Sequence, residues 1–97
     1  MEACPQTIDS ANVLAWAAID DGVQATGNTI HRRGGEVLNP ASKLAICRYE
    51  EENSYYLFYC DENWEVITDT WHQSMDDAKS QAEFEYLGIT NQWHTMS

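Results

Sequence analysis

Basic residues are scarce in this chain: five Lys and Arg stand against sixteen Asp and Glu, a net charge of −11 over 97 residues. The shortage is sharpest at positions 49–97, where Lys79 is the single base among eleven acids; positions 1–48 hold four bases and five acids. Nucleic acids and anionic membranes are gripped through Lys and Arg, so this field argues against both as partners. A basic protein is what it would steer. Cysteine is sparse as well. Cys4, Cys47 and Cys60 are an odd number with no Cys-x-x-Cys pair, which implies no disulfide framework and fits a reducing, cytoplasmic setting. Long apolar runs are missing too. The first, residues 13–19, falls far below the roughly 20 residues of a membrane span. Glu2 stands where a secretory leader would carry a base.

What is present is enough for a core. Apolar residues make up 43% and aromatics 11% of the chain, a composition that a disordered acidic polymer would not have. No repeat, low-complexity stretch or linker divides it, so one domain over 1–97 is expected. Residues 1–10 read as a loosely held arm. Residues 22–42 read as mostly loop, because Gly27-Asn28, Gly34-Gly35 and Asn39-Pro40 are turn signals; one short extended piece fits around 29–32.

The organising stretch is 55–88, which holds most of the aromatic residues. Residues 43–50 form an expected strand with Leu44, Ile46 and Arg48 on one face and Ala45, Cys47 and Tyr49 on the other. A turn at 51–54 returns the chain antiparallel along 55–60, pairing Cys47 with Cys60 and Tyr49 with Phe58. A third strand, 64–69, follows, and 70–73 reads as an ordered loop. Residues 74–87 form the helix. Ser74 and Asp77 make a capping-box variant, Met75, Ala78, Ala82 and Tyr86 line one face, and Gly88 supplies a left-handed end. Residues 13–19 suit either a helix or a buried strand, and the strand is preferred. The expected fold is α+β: an antiparallel meander of three to four strands with one C-terminal helix packed on one face.

The run Tyr-Cys-Asp-x-x-Trp, then Asp-Thr-x-His, then Ala-x-x-Gln-Ala-Glu-Phe-Glu-Tyr, spread over residues 43–88, resembles a small family of uncharacterised bacterial single-domain proteins. The resemblance implies a free-standing sheet-plus-helix domain and transfers no activity.

Candidate chemistry is thin. Asp69 and His72 could form a carboxylate–imidazole pair, with Cys60 near enough to serve as nucleophile. Hydrogen bonds that merely shape the turn into the helix are the plainer reading. His31, His72 and His94 with Cys47 or Cys60 could ligate a metal, although no pair has the local spacing of a zinc site. Asp61-x-Asn63-x-Glu65 opens like a calcium loop, then fails at Val66 and His72. Arg32-Arg33 before the Gly pair is a weak anion site. No cofactor signature is present.

Two functions are therefore carried forward. The first is a non-enzymatic protein-binding module with an acidic, aromatic surface for a basic partner, of which a toxin-neutralising, antitoxin-like role is one instance. The alternative is a small metal-binding protein or hydrolytic enzyme using Asp69 and His72. Leu57 and Tyr59, on the sheet face expected to lack a helix, together with Phe84 and Trp93, form the expected interface of a homodimer.

Overall fold

The computed structural model describes residues 4–20, 22–26, 32–33, 35–37 and 41–96. Its main sheet is six-stranded and antiparallel, built from β1 (Thr7–Ile8), β2 (Ala11–Ala18), β6 (Lys43–Arg48), β7 (Tyr55–Cys60), β8 (Val66–His72) and β10 (His94–Thr95). The order is β1-β2-β6-β7-β8, with β10 also on β2. Four short strands form two small pairings. β3 (Gln24–Ala25) pairs with β9 (Tyr86–Leu87), and β4 (Arg32–Arg33) with β5 (Glu36–Val37). The helix α1 spans Met75–Glu85, and a short 3-10 turn occupies Ile89–Gln92.

The meander and helix appear where the residue pattern places them, and the sheet is larger than the expected three to four strands. The additions come from both ends of the chain. Thr7–Ile8 turns back on β2 through Asp9 and Ser10, both at positive φ (49° and 69°), the backbone that a tight hairpin turn requires. Ile8 is buried and Cys4 packs beneath the sheet, so the arm is docked from Cys4 onward. From the other end, His94 pairs with Trp16 and Thr95 with Ala15.

Residues 13–19 resolve as the strand β2, and its ambiguity has a physical source. The register slips between Val13 and Ala15, leaving Leu14 as a bulge. Ala11 and Val13 therefore face one core and Ala17 the other. Apolar Leu14, Trp16 and Ala18 hide the alternation of the buried positions 11, 13, 15 and 17 in the sequence, and the bulge divides those positions between two cores. A second bulge at Ile67 does the same in β8. Val66 lies opposite Cys60, whereas Thr68 lies opposite Tyr59 on the other face, so the two do not share a face as a regular strand over 64–69 would have them.

The hairpin register also differs from expectation. Cys47 pairs with Tyr56, and Cys60 with Lys43. The turn begins at Tyr49, whose carbonyl accepts from the Glu52 amide at 3.1 Å, so the loop centre lies earlier than the boundary at Glu50 implied. The shift is an even number of residues, and each side chain keeps its face.

The helix begins as its sequence indicates. Ser74 Oγ accepts from the Asp77 amide at 3.0 Å, a cap worth about 1 kcal/mol. It stops at Glu85, two residues short of Leu87, because Tyr86 is extended and pairs with Ala25. Gly88 follows at φ 96°, and a Cβ there would stand 2.8 Å from the Gly22 carbonyl oxygen. Both conformation and space therefore demand glycine. Glu83 secures this corner, accepting from the Gly88 amide (2.9 Å) and from the Thr90 amide (3.0 Å) and hydroxyl (2.7 Å).

Two cores result. Beneath α1, Leu44, Ile46, Leu57 and Tyr59 meet Ala78 and Ala82, with Ile89 and Tyr86 closing one end. On the reverse face Val13, Ala45, Cys47, Phe58 and Cys60 are covered by Ile8 and Ala11, with Trp64 and Val66 at the side. The helix thus sits on Leu57 and Tyr59, the pair expected to be left bare. Leu57 is 0% exposed. The alanines at 78 and 82 admit the sheet closely enough for those large side chains to fill the gap.

Candidate functional site

The expected Asp69–His72 pair does not assemble. Residues 70–72 continue the strand instead of looping, and three positions along a strand place two side chains on opposite faces. Asp69 is exposed opposite Phe58, whereas His72 is buried on the helix side. Cys60 lies on the Phe58 side as well, and burial pushes its thiol up to about 12, which leaves no thiolate near neutral pH. Cys47 is raised for the same reason, with Cys60 adding to it.

His72 finds other partners. Its Nδ1 lies 2.8 Å from Asp77 Oδ2, in the first turn of α1, and its Nε2 lies 2.7 Å from Thr70 Oγ1. The Thr70 hydroxyl also hydrogen-bonds the Tyr59 phenol, which donates to Glu85 Oε2. Gln81 Nε2 donates to the same carboxylate oxygen at 3.0 Å. One chain of polar side chains thus runs Asp77–His72–Thr70–Tyr59–Glu85–Gln81 across the helix–sheet boundary. Glu85 is 4% exposed, so it requires these donors. Burial first, then the Glu85 bond, holds the Tyr59 phenol well above its usual range.

Thr70, His72 and Asp77 are in the order hydroxyl, imidazole, carboxylate that activates a nucleophile. The Thr70 hydroxyl, however, is engaged by Tyr59 as well as by His72, in the seam between sheet and helix. The chain pins α1 to β7 and β8. The capping-box spacing identified Asp77, but its carboxylate is turned to His72 rather than to the Ser74 amide.

Metal-ligand candidates are dispersed. His31 lies outside the described residues, His72 is engaged as above, and His94 stacks on Trp16 with ring centroids 4.3 Å apart. Among the described residues no group of three or more His, Cys, Asp and Glu is placed to hold a metal ion. Asp61 closes its own turn instead, its Oδ1 accepting from the Asn63 and Glu65 amides at 2.8 and 3.0 Å. The side chains of Arg32 and Arg33 are outside the description.

The expected interface residues separate. Leu57 and Tyr59 are internal, and Trp93 packs against the same core. Phe84 remains 52% exposed; the tail passes it by and joins β2. Leu87, nearby in sequence, is 57% exposed.

The face opposite α1 carries a cluster that the sequence reading missed. Tyr56 lies across from Cys47 on one side and from Trp71 on the other, so all three side chains share that face. Tyr49 meets Tyr56 edge-on at 5.4 Å, and Tyr56 lies 6.2 Å from Phe58. Trp71 is 59% exposed. Carboxylates surround these rings. Glu52 Oε1 accepts from the Tyr56 hydroxyl at 3.0 Å and from Ser54 Oγ at 3.1 Å. The Tyr56 phenol is raised chiefly by that Glu52 bond, and the Tyr49 phenol by partial burial and by Asp9, Asp69 and Glu52. Tyr49, Glu50, Glu51 and Glu52 line an adjoining recess of about 470 Å³. The available signal was the even spacing of Asp69 and Trp71 once both are placed within a strand.

Compared with family models, curated proteins and solved structures, the chain matches none. Among the described residues, no helix is long and apolar enough to cross a membrane.

Proposed function

We propose that this protein is a non-enzymatic binding module whose Tyr49–Tyr56–Trp71 face receives a basic segment of a protein partner. The observation that carries the reading is the gathering of the exposed Trp71 and the half-buried Tyr49 and Tyr56 with Glu52, Asp69 and Asp9 at one sheet face. Strand alternation sends Arg48 to the opposite face, and Lys43 lies at the far end of β6, its Nζ 4.8 Å over the Trp64 ring. Aromatic surface supplies area and cation–π attraction, while the carboxylates speed encounter and reject acidic competitors. A toxin-neutralising, antitoxin-like role is one instance of such a module, and nucleic acid is disfavoured by the same charge. Cytoplasmic location is part of the proposal: Cys4, Cys47 and Cys60 are all unpaired thiols. Membership of the small bacterial family with the Tyr-Cys-Asp-x-x-Trp pattern is compatible with it.

Titration of the protein with a short oligolysine peptide at rising salt tests this reading. Binding that weakens steeply with salt and is lost in Glu52→Gln/Asp69→Asn is expected. Absent or salt-independent binding would overturn it. Self-association is a second reading, favoured by Phe84 and Leu87, the exposed large apolar side chains at the end of α1 and in β9. Light scattering reads it directly: a dimer mass that falls to one chain in Phe84→Ser supports it, and a one-chain mass for the parent protein removes it.

A further inference from the structure

We infer that the acidic aromatic face holds a seat for one arginine side chain of the partner, with the guanidinium laid on the Trp71 indole between Glu52 and Asp69. This rests on the basic-partner reading and narrows it to one kind of cation.

Three features of the face select a guanidinium over an ammonium. The first is the ring itself. Trp71 is 59% exposed, and its cross-strand neighbour Tyr56 is held by the Glu52 bond and by its edge contact with Tyr49, so one wall of the seat is fixed before a ligand arrives. A planar, weakly hydrated guanidinium stacks on such a surface, whereas an ammonium keeps its water. The second is the placement of the acids. Asp69 sits two residues before Trp71 on the same face, and Glu52 reaches the platform from the turn through Tyr56. Two carboxylates at separate places suit a fork with five N–H donors better than a point charge. The third is the valence left on Glu52. Its Oε1 already accepts from Tyr56 and Ser54, and Oε2 has no hydrogen-bond partner among the described residues. The recess beside Tyr49 and Glu50 gives the residues flanking the arginine a place to lie.

The seat is tested with the whole chain and three acetylated Gly/Ser peptides, identical except that each carries two arginines, two lysines or two citrullines. Binding is followed at low salt by tryptophan fluorescence and by amide and indole NMR shifts. The arginine peptide is expected to bind about threefold to fivefold tighter than the lysine peptide, the size of one exposed cation–π contact. The Trp71 indole resonance should be displaced, and the citrulline peptide should not bind. Trp71→Leu should abolish the preference for arginine and leave residual binding of both basic peptides, with the melting temperature unchanged. Equal binding of arginine and lysine, or a preference that survives Trp71→Leu, overturns the arginine seat while the basic-partner reading stands. Binding of neither basic peptide overturns both.

Discussion

Beneath α1 the sheet meets Ala78, Ala82 and Ile89, and the buried His72, Tyr59 and Glu85 side chains are hydrogen-bonded within the chain from Asp77 to Gln81. On the reverse face Trp64 covers the Cys60 end of β7, while at the other end Ile8 and Ala11 cover only part of the sheet, leaving Tyr49 and Tyr56 half-buried and Trp71 exposed. The same three central strands supply both faces, so the difference lies in what the chain lays over them. A helix seals a face along its length. A two-residue strand such as β1 seals only its own width, and the remainder stays available to a partner. Closure and recognition are thus divided between the two sides of one sheet.

Truncation across the sheet should expose the contrast most strongly. Leu57→Ala, under the helix, is expected to cost about 3 kcal/mol, through lost burial and the cavity left behind. Trp71→Ala should stay within about 0.5 kcal/mol of the parent, as for an exposed position. Chemical denaturation of the two variants decides this, and comparable losses would mean that the reverse face is part of the core. A finer probe removes one hydroxyl from each side. Tyr59→Phe takes the phenol donor from the buried Glu85 carboxylate, which keeps Gln81, and should cost about 2 kcal/mol. Tyr56→Phe removes an exposed bond of the same kind, to Glu52, and should leave the denaturation midpoint where it was.

The smallest effect concerns acid. Bonds from the Gly88 amide, then from the Thr90 hydroxyl and amide, lower Glu83 from its ordinary value of 4.5. A depressed carboxylate stabilises the fold above that ordinary value, and the contribution fades as pH falls through the folded one. Thermal melts between pH 7 and pH 3 should therefore show a shallow acid loss that is reduced in Glu83→Gln. An identical profile for the variant would show that the corner at Gly88 does not depend on the charge.

Local chemistry made the meander and the helix readable: alternation at Leu44 to Cys47, the cap at Ser74 and the glycine at 88 each act within a few residues. The bulges at Leu14 and Ile67 were not readable, because each is decided by which core the following residues enter. Without the Ile67 bulge, Val66 and Thr68 share a face, and the face of each later side chain in β8 depends on the strand's true end. That is why Asp69 and His72 seemed neighbours, and why Trp71 was assigned to a loop instead of to the platform beside Tyr56. The edge of β2 was hidden for a similar reason, since its partners come from residues 7–8 and 94–95.

That shared edge has a kinetic consequence. The turn between β1 and β2 is tight, so their pairing forms at little entropic cost, as do the hairpins from Lys43 to His72. β10 must instead find Trp16 and Ala15 across almost the entire sequence, and the Met96 amide must reach the Leu14 carbonyl, 2.9 Å away in the finished structure. The bond that joins the two ends is therefore the slowest to be made. Half of one strand's edge zips up with its neighbour, and the other half waits for everything between to fold.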